Sequence, residues 1–134
     1  MISTGKIYKA LVKYFDMEKG IAFKFRPVLI LAKADAADFV VLPVSTVSRK
    51  ENLNKYYDVM IDPEQYPLAN LNKVSYVRTH KQIIVHIAEI TGEIGDLKAN
   101  YSDLYSEILS KRSDFSDEIT RQALDNFYKI NGDL

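Results

Sequence analysis

The chain contains no cysteine, which excludes disulfides and thiolate metal sites. It carries no excess of charge of either sign, with 18 Lys+Arg against 18 Asp+Glu, so no whole-molecule field draws it to a polyanion. No apolar run approaches the ~20 residues that span a bilayer. Met1 to Lys6 has no apolar segment of signal-peptide length, and the expectation is a cytosolic protein without membrane association. Several catalytic signatures are also missing. There is no phosphate-cradling glycine-rich loop, no His-Glu-x-x-His, no His/Asp cluster at metal spacing and no Gly-x-Ser-x-Gly elbow. Asp and Glu are scattered, which gives a two-metal nuclease little support. No metal and no cofactor is expected.

What is present fits one domain, 1–134, large enough for a proper core. Hydrophobic content of 47% and charged content of 27% are ordinary for a globular chain. The charge is unevenly spread. Residues 1–102 hold 14 Lys/Arg and 11 Asp/Glu, and residues 103–134 hold 4 and 7, so a mildly basic body precedes a mildly acidic tail. A few placed cations are enough to hold phosphate locally; a mixed, solvated surface is the other reading.

Strand-like segments come first. Gly5 to Phe15 alternates approximately and is rich in β-branched and aromatic residues. Asp16 to Gly20 reads as a turn. Lys24 to Thr46 then holds two apolar runs flanking Ala34 to Ala37, a hairpin signature. If those four residues form the loop, Lys33 pairs with Asp38 and Arg26 lies opposite Ser45, with Thr46 beside it. Val28 to Ala32 has no polar member, which predicts a strand buried on both faces. Pro43, just before the hydroxyl pair, predicts an edge, a bulge or the end of regular pairing. Further short strands are expected around Tyr56–Ile61 and Val74–Thr79, and short extended or looped pieces over 83–85 and 87–94.

From Asp96 the period becomes helical. Leu97, Tyr101, Leu104, Tyr105, Ile108 and Leu109 mark a helix at about 98–111. Ser116 reads as the N-cap of a second, at about 116–131, with Ile119, Ala123, Leu124, Phe127 and Ile130 as its stripe. Strands first and helices last suggest a strongly curved antiparallel sheet or barrel, at about 5–97, with helices packed on it.

The chemistry left open by these absences is metal-free work on an anion. Arginine presents a planar, permanently charged fork to phosphate, and a neighbouring hydroxyl can donate to a second oxygen. When a 2′-hydroxyl attacks an RNA phosphate, charge builds on the phosphorane oxygens, and fixed donors there lower the barrier. Arg26 with Ser45 or Thr46 is thus a sparse ribonuclease site; a surface ion pair and a plain strand terminus are the commoner roles for such residues. Arg49, Lys50 and Lys55 form a basic loop that suits phosphate tracking, and Tyr56, Tyr57 and Tyr76 have rings on which bases could stack. His80 and His86 fit general acid–base chemistry or a simple strand-end pair.

These residues resemble a known family. Gly5-x-Ile7, Gly20, Lys24-x-Arg26-Pro27-Val28-Leu29-Ile30-Leu31 and Val41-Leu42-Pro43-Val44-Ser45-Thr46 are similar to the MazF/PemK/Kid toxins of bacterial toxin–antitoxin pairs. The likeness continues in Tyr57–Ile61, Leu71–Val74, Val77-Arg78-Thr79 and Glu93-Ile94-Gly95-x-Leu97, and covers about residues 5 to 110. It implies a small SH3-like (CcdB/MazF-type) antiparallel barrel with C-terminal helices, usually a homodimer. It implies a metal-independent, sequence-specific endoribonuclease that cleaves single-stranded RNA to 2′,3′-cyclic phosphate and 5′-hydroxyl ends, held in check by a cognate antitoxin protein. Arg26 maps to the family's catalytic arginine. Ser45 aligns with its catalytic threonine, although the Thr-Ser order is reversed here and Thr46 follows. Lys24, Arg49, Lys50, Lys55, Tyr76 and Arg78 are the candidate RNA contacts. The loop between the first two strands is short for the family, and 116–134 extends past its usual end. The alternative is a non-catalytic barrel that acts by binding protein, like a gyrase poison or an inactive toxin homologue; a barrel that binds RNA without cutting it is a third reading.

Overall fold

The computed structural model describes residues 1–47 and 49–131. Seven strands and two helices follow in order: β1 (Lys6–Asp16), β2 (Gly20–Lys33), β3 (Asp38–Ser45), β4 (Asp58–Ile61), β5 (Ser75–Arg78), β6 (Ile83–His86), β7 (Ile90–Asp96), α1 (Leu97–Asn100) and α2 (Ser102–Asn131). The strands form one antiparallel sheet ordered β4-β5-β3-β2-β1-β7, with β6 also paired to β3. It curls into a half-barrel because β3 changes neighbours along its length, from β6 at Asp38–Val41 to β5 at Val44–Ser45.

The unbroken apolar run of β2 is explained by burial on both faces. Leu29 joins Ile7, Leu42, Val44, Ile61 and Val77 in a core closed by Leu97, Leu104, Tyr105 and Ile108 from the helices. Its neighbours Val28 and Ile30 point the other way, into a second core with Tyr8, Ala10, Val41 and Val85. Alternation within a strand that is covered on both sides leaves no polar position.

The hairpin differs from the simple count at its tip and agrees with it at its open end. Lys33 pairs with Phe39, not Asp38, and a bulge at Leu31 takes up the extra residue. Beyond the bulge the register is Val28 opposite Pro43, the same alignment that sets Arg26 against Ser45. The tip shifts because the Asp38 carbonyl accepts the N–H groups of Ala34 (2.8 Å) and Asp35 (3.3 Å), while Asp38 itself pairs with His86 on β6.

β2 also starts earlier than the sequence suggests. It pairs with β1 without interruption from Ile7–Leu29 to Asp16–Gly20, so Arg26 lies in mid-strand. The outer part of this pairing is a two-stranded arm. Phe15 opposes Ile21, Lys13 opposes Phe23 and Leu11 opposes Phe25, which places these side chains on one face of the ribbon. Phe15, Ile21, Phe23 and Phe25 are all exposed.

The first turn of the expected helix stands apart as α1, broken off at Tyr101, and from Ser102 onward the two expected helices are one. Ser116, expected as an N-cap, lies inside the 30-residue α2. No proline or glycine interrupts 103–118, and Phe115 is held by edge-on contacts with Tyr57 (5.0 Å) and His80 (6.0 Å). Packing therefore overrides the modest helix propensity of the serines around it.

β7 runs close under the turn Pro67–Ala69. A Cβ at Gly95 would stand 2.5 Å from the Ala69 carbonyl oxygen, and neither backbone can retreat cheaply. Gly95→Ala is expected to destabilise the fold by about 1–3 kcal/mol, read as a lower urea midpoint at unchanged slope. An unshifted midpoint would show that the contact yields.

Candidate active site

Pro43 has no N–H to continue a ladder, and it is the last β3 residue paired with β2. Past it β3 turns to β5 through Val44–Val77 and Ser45–Tyr76. The gap opened between β2 and the end of β3 is filled by side chains: Arg26 Nη1 donates to Ser45 Oγ at 3.5 Å, the long limit of a hydrogen bond. On its other side the Arg26 guanidinium lies 5.9 Å from the centre of the Tyr14 ring, a cation–π distance. Both side chains are partly exposed. A loose contact between two donors, with no acidic group in ion-pair distance of Arg26 among the described residues, leaves both able to turn to an oxyanion.

The two hydroxyls separate. Ser45 faces Arg26, whereas Thr46 is exposed and lines a different groove with Pro27, Asn70, Asn72, Lys73 and Ser75. Leu71, Asn72 and Lys73 of this groove belong to the family-like stretch Leu71–Val74, but none of them was among the candidate site residues.

The basic candidates divide in the same way. Lys50, Lys55 and Tyr76 share one pocket of about 310 Å³ with Leu53, Asn54 and Asp58. Because Tyr76 pairs with Ser45, this pocket adjoins the Arg26–Ser45 gap. Lys24 is exposed on β2, two residues before Arg26, and so lies on the same face of the strand. Arg49 is exposed, with its carbonyl accepting the Asn52 N–H, and does not join the pocket.

Arg78 is committed elsewhere. Its Nε and Nη2 donate to the two carboxylate oxygens of Asp58 at 3.1 and 3.3 Å, and Nη2 also reaches the Asn52 carbonyl. The Asp58 side chain is only 1% exposed and also accepts the Asn54 N–H. This ion pair anchors the basic loop to β4 and β5.

Tyr56 and Tyr57 are committed too. Their hydroxyls donate to Asp114 and Glu118 of α2, and the bond to Glu118 pushes the Tyr57 phenol up to about 12. Tyr57 is buried, which removes it as a platform for bases. Two carboxylates of the acidic tail are thus spent on tyrosines.

His80 lies in this cluster, with its Nδ1 3.7 Å from Asp58 Oδ1. Burial pushes its pKa below the ordinary histidine value of 6.5; Asp58 opposes the shift, and Arg78 and Lys81 add to it. The folded state therefore binds fewer protons than the unfolded state in this range. Stability is expected to fall as pH drops below about 6.5 and to level off once it passes the folded value. Melting temperatures from pH 7.5 to 5 should show a steeper decline for the wild type than for His80→Gln; parallel curves would remove His80 as the cause. His86 is instead a local cap, its Nδ1 accepting the Ala88 N–H while Glu89 accepts the His86 N–H.

No protein-family model and no curated protein matches the sequence. Solved structures do match. A Mycobacterium tuberculosis toxin, MazF-mt6, aligns at 21% identity over 84% of this chain and 96% of its own, with a TM-score of 0.60. An endoribonuclease from mycobacterial species, in complex with its cognate antitoxin, aligns at 16% identity over 87% and 96%, with a TM-score of 0.58. A further Mtb toxin aligns at 20% identity over 67% and 91%, with a TM-score of 0.53. These likenesses are of fold, and the chain has the fold of the MazF toxins.

Proposed function

We propose that the chain is an endoribonuclease toxin that cleaves single-stranded RNA in the cytosol without a metal ion and is neutralised by a cognate antitoxin. The observation that carries this reading is the apposition of Arg26 and Ser45 where β3 leaves β2. A solved structure of the same fold is an endoribonuclease in complex with its antitoxin, which supports both the activity and the partner.

In this mechanism the RNA supplies the nucleophile, the 2′-hydroxyl beside the scissile phosphate. Arg26 and the Ser45 hydroxyl turn from each other to the non-bridging oxygens, where charge grows as the phosphorane forms. The 2′-hydroxyl gives its proton to solvent as the P–O2′ bond forms. Collapse then breaks the P–O5′ bond, the 5′-oxygen taking a proton from solvent and leaving as a hydroxyl while a 2′,3′-cyclic phosphate remains. Tyr14 holds the guanidinium from behind through its ring face. Lys24, Lys50 and Lys55 supply phosphate contacts on either side and Tyr76 a ring for a base. The exposed apolar face of the β1–β2 arm, with Phe15, Ile21, Phe23 and Phe25, is of the kind that a second subunit or an antitoxin covers, and a homodimer is part of the proposal.

The test is incubation of the purified protein with a long single-stranded RNA in EDTA, with ends mapped by primer extension. Discrete cuts bearing 5′-hydroxyl ends are expected. The same apolar arm also favours the second reading, a barrel that acts by protein binding alone; intact RNA of every sequence tried, with one protein retained stoichiometrically, would establish that reading instead.

A further inference from the structure

A second cavity, of about 280 Å³, lies between α2 and the turn joining β5 to β6, and shares no lining residue with the Lys50–Lys55–Tyr76 pocket. Phe115 and Ile119 form its apolar wall, and His80, Gln82, Arg112 and Ser116 are among its polar residues. Arg112 is the only one of the eight lining residues with a formal charge. Its Nε donates to Gln82 Oε1 at 2.7 Å. That bond orients the guanidinium plane through a neutral amide, so the positive charge is not cancelled.

The contrast with Arg78 is instructive. Arg78 is orientated by a buried carboxylate that neutralises it, whereas Arg112 is orientated by a group with no charge and has no carboxylate within ion-pair distance among the described residues. The side chain of His80, nine-tenths buried, supplies one wall. Its Nδ1 has no hydrogen-bond partner among the described residues and faces Asp58 Oδ1 at 3.7 Å. The terminal nitrogens of Arg112, the Gln82 amide and the Ser116 hydroxyl make the cavity rich in donors, and the acceptor-rich partner of such a set is an oxyanion.

We propose that this cavity is an oxyanion site that binds a phosphate of the RNA strand away from the cleaved bond. The assignment to RNA rests on the ribonuclease reading; the anion chemistry does not. Continuity favours phosphate as the source. Strand β5 carries Tyr76 beside Ser45 at one end and leads through Arg78 to His80 at the other, a path of roughly 13 Å. Asp58 lines the Lys50–Lys55 pocket and abuts His80, so the two cavities flank one ion pair. An RNA strand crossing β5 from the Arg26 site reaches Arg112 next.

Inorganic phosphate is the first probe, followed by side-chain NMR of the Arg112 Nε–H and the His80 ring. Saturable shifts at both are expected. The His80 shift should vanish in Arg112→Gln, and both shifts should persist in Arg26→Ala, with circular dichroism and melting showing that both variants are folded. A fully 2′-O-methylated RNA, which cannot be cut, is the second probe. Arg112→Gln should weaken its binding several-fold and lower the slope of log affinity against log salt by about 0.7, the value for one contact to a single strand. Arg112→Lys should keep most of that slope but not the full affinity. Absence of phosphate shifts in the wild type overturns the site. Phosphate shifts with unchanged RNA affinity and salt slope in Arg112→Gln overturn the assignment to RNA, and an acidic peptide that then produces the shifts identifies a protein carboxylate as the occupant. A wild type that cuts nothing yet shows the Arg112-dependent slope removes the ribonuclease reading while leaving this one intact.

Discussion

Arg26→Ala is expected to reduce the cleavage rate of a long single-stranded RNA by about 10²–10³-fold, the range for loss of one donor to a developing oxyanion. Ser45→Ala is expected to lose less, because a neutral hydroxyl stabilises that charge less than a guanidinium does. Thr46→Ala should leave the rate within a factor of a few. The distinction follows from geometry: Ser45 Oγ lies 3.5 Å from Arg26 Nη1, while Thr46 lines another groove. Single-turnover rates with saturating protein separate this chemical effect from RNA binding. If Thr46→Ala is the slow variant and Ser45→Ala is not, the RNA approaches from the groove of Asn70, Asn72 and Lys73, and the role assigned to Ser45 fails. Rates unchanged in Arg26→Ala would remove the proposed site altogether.

The second large effect concerns stability. Asp58→Ala is expected to cost about 3 kcal/mol, at the lower end for removing one partner of a buried ion pair. The lower end applies because the Arg78 side chain is 23% exposed and retains some water. The lost carboxylate also accepts the Asn54 N–H at 2.8 Å, so the loop 49–57 should loosen with it. In a domain of this size the loss corresponds to a fall in melting temperature of roughly 10 °C. Arg78→Met should restore much of the stability in the Asp58→Ala background, because it removes the uncompensated cation. A double variant no better than the single one would mean that Asp58 acts through the loop rather than through Arg78.

These two predictions draw on different kinds of information. The Arg26–Ser45 apposition was legible in the sequence because antiparallel register is local. A short loop, two apolar runs and a proline fix which residues face each other across a hairpin, and the bulge at Leu31 compensated the misplaced tip. The sites of the strands and the helical stripe from Leu97 to Ile108 were legible for the same reason, since both depend on periodicity within a few turns or pleats. The stripe beyond Phe115 was read correctly as helical but wrongly as separate. Serine at 116 is a good cap only where the helix is free to stop, and the packing of Phe115 on Tyr57 and His80 does not let it.

By itself, then, the sequence determined a curled antiparallel sheet with C-terminal helix and the pair of residues at the mouth of its central hairpin. The tertiary structure alone decided which basic residues keep their charge available. Arg78 and Arg112 are indistinguishable by composition or spacing. One meets Asp58, 20 residues away, and is neutralised; the other meets Gln82, 30 residues away, and is not. Partners at such separations are set by how β4, β5 and α2 come together in space, and no local pattern records them. The same holds for the acidic tail, whose Asp114 and Glu118 are taken up by Tyr56 and Tyr57 across the fold. Local periodicity fixes the elements, and the contacts between distant elements fix which side chains remain free to act.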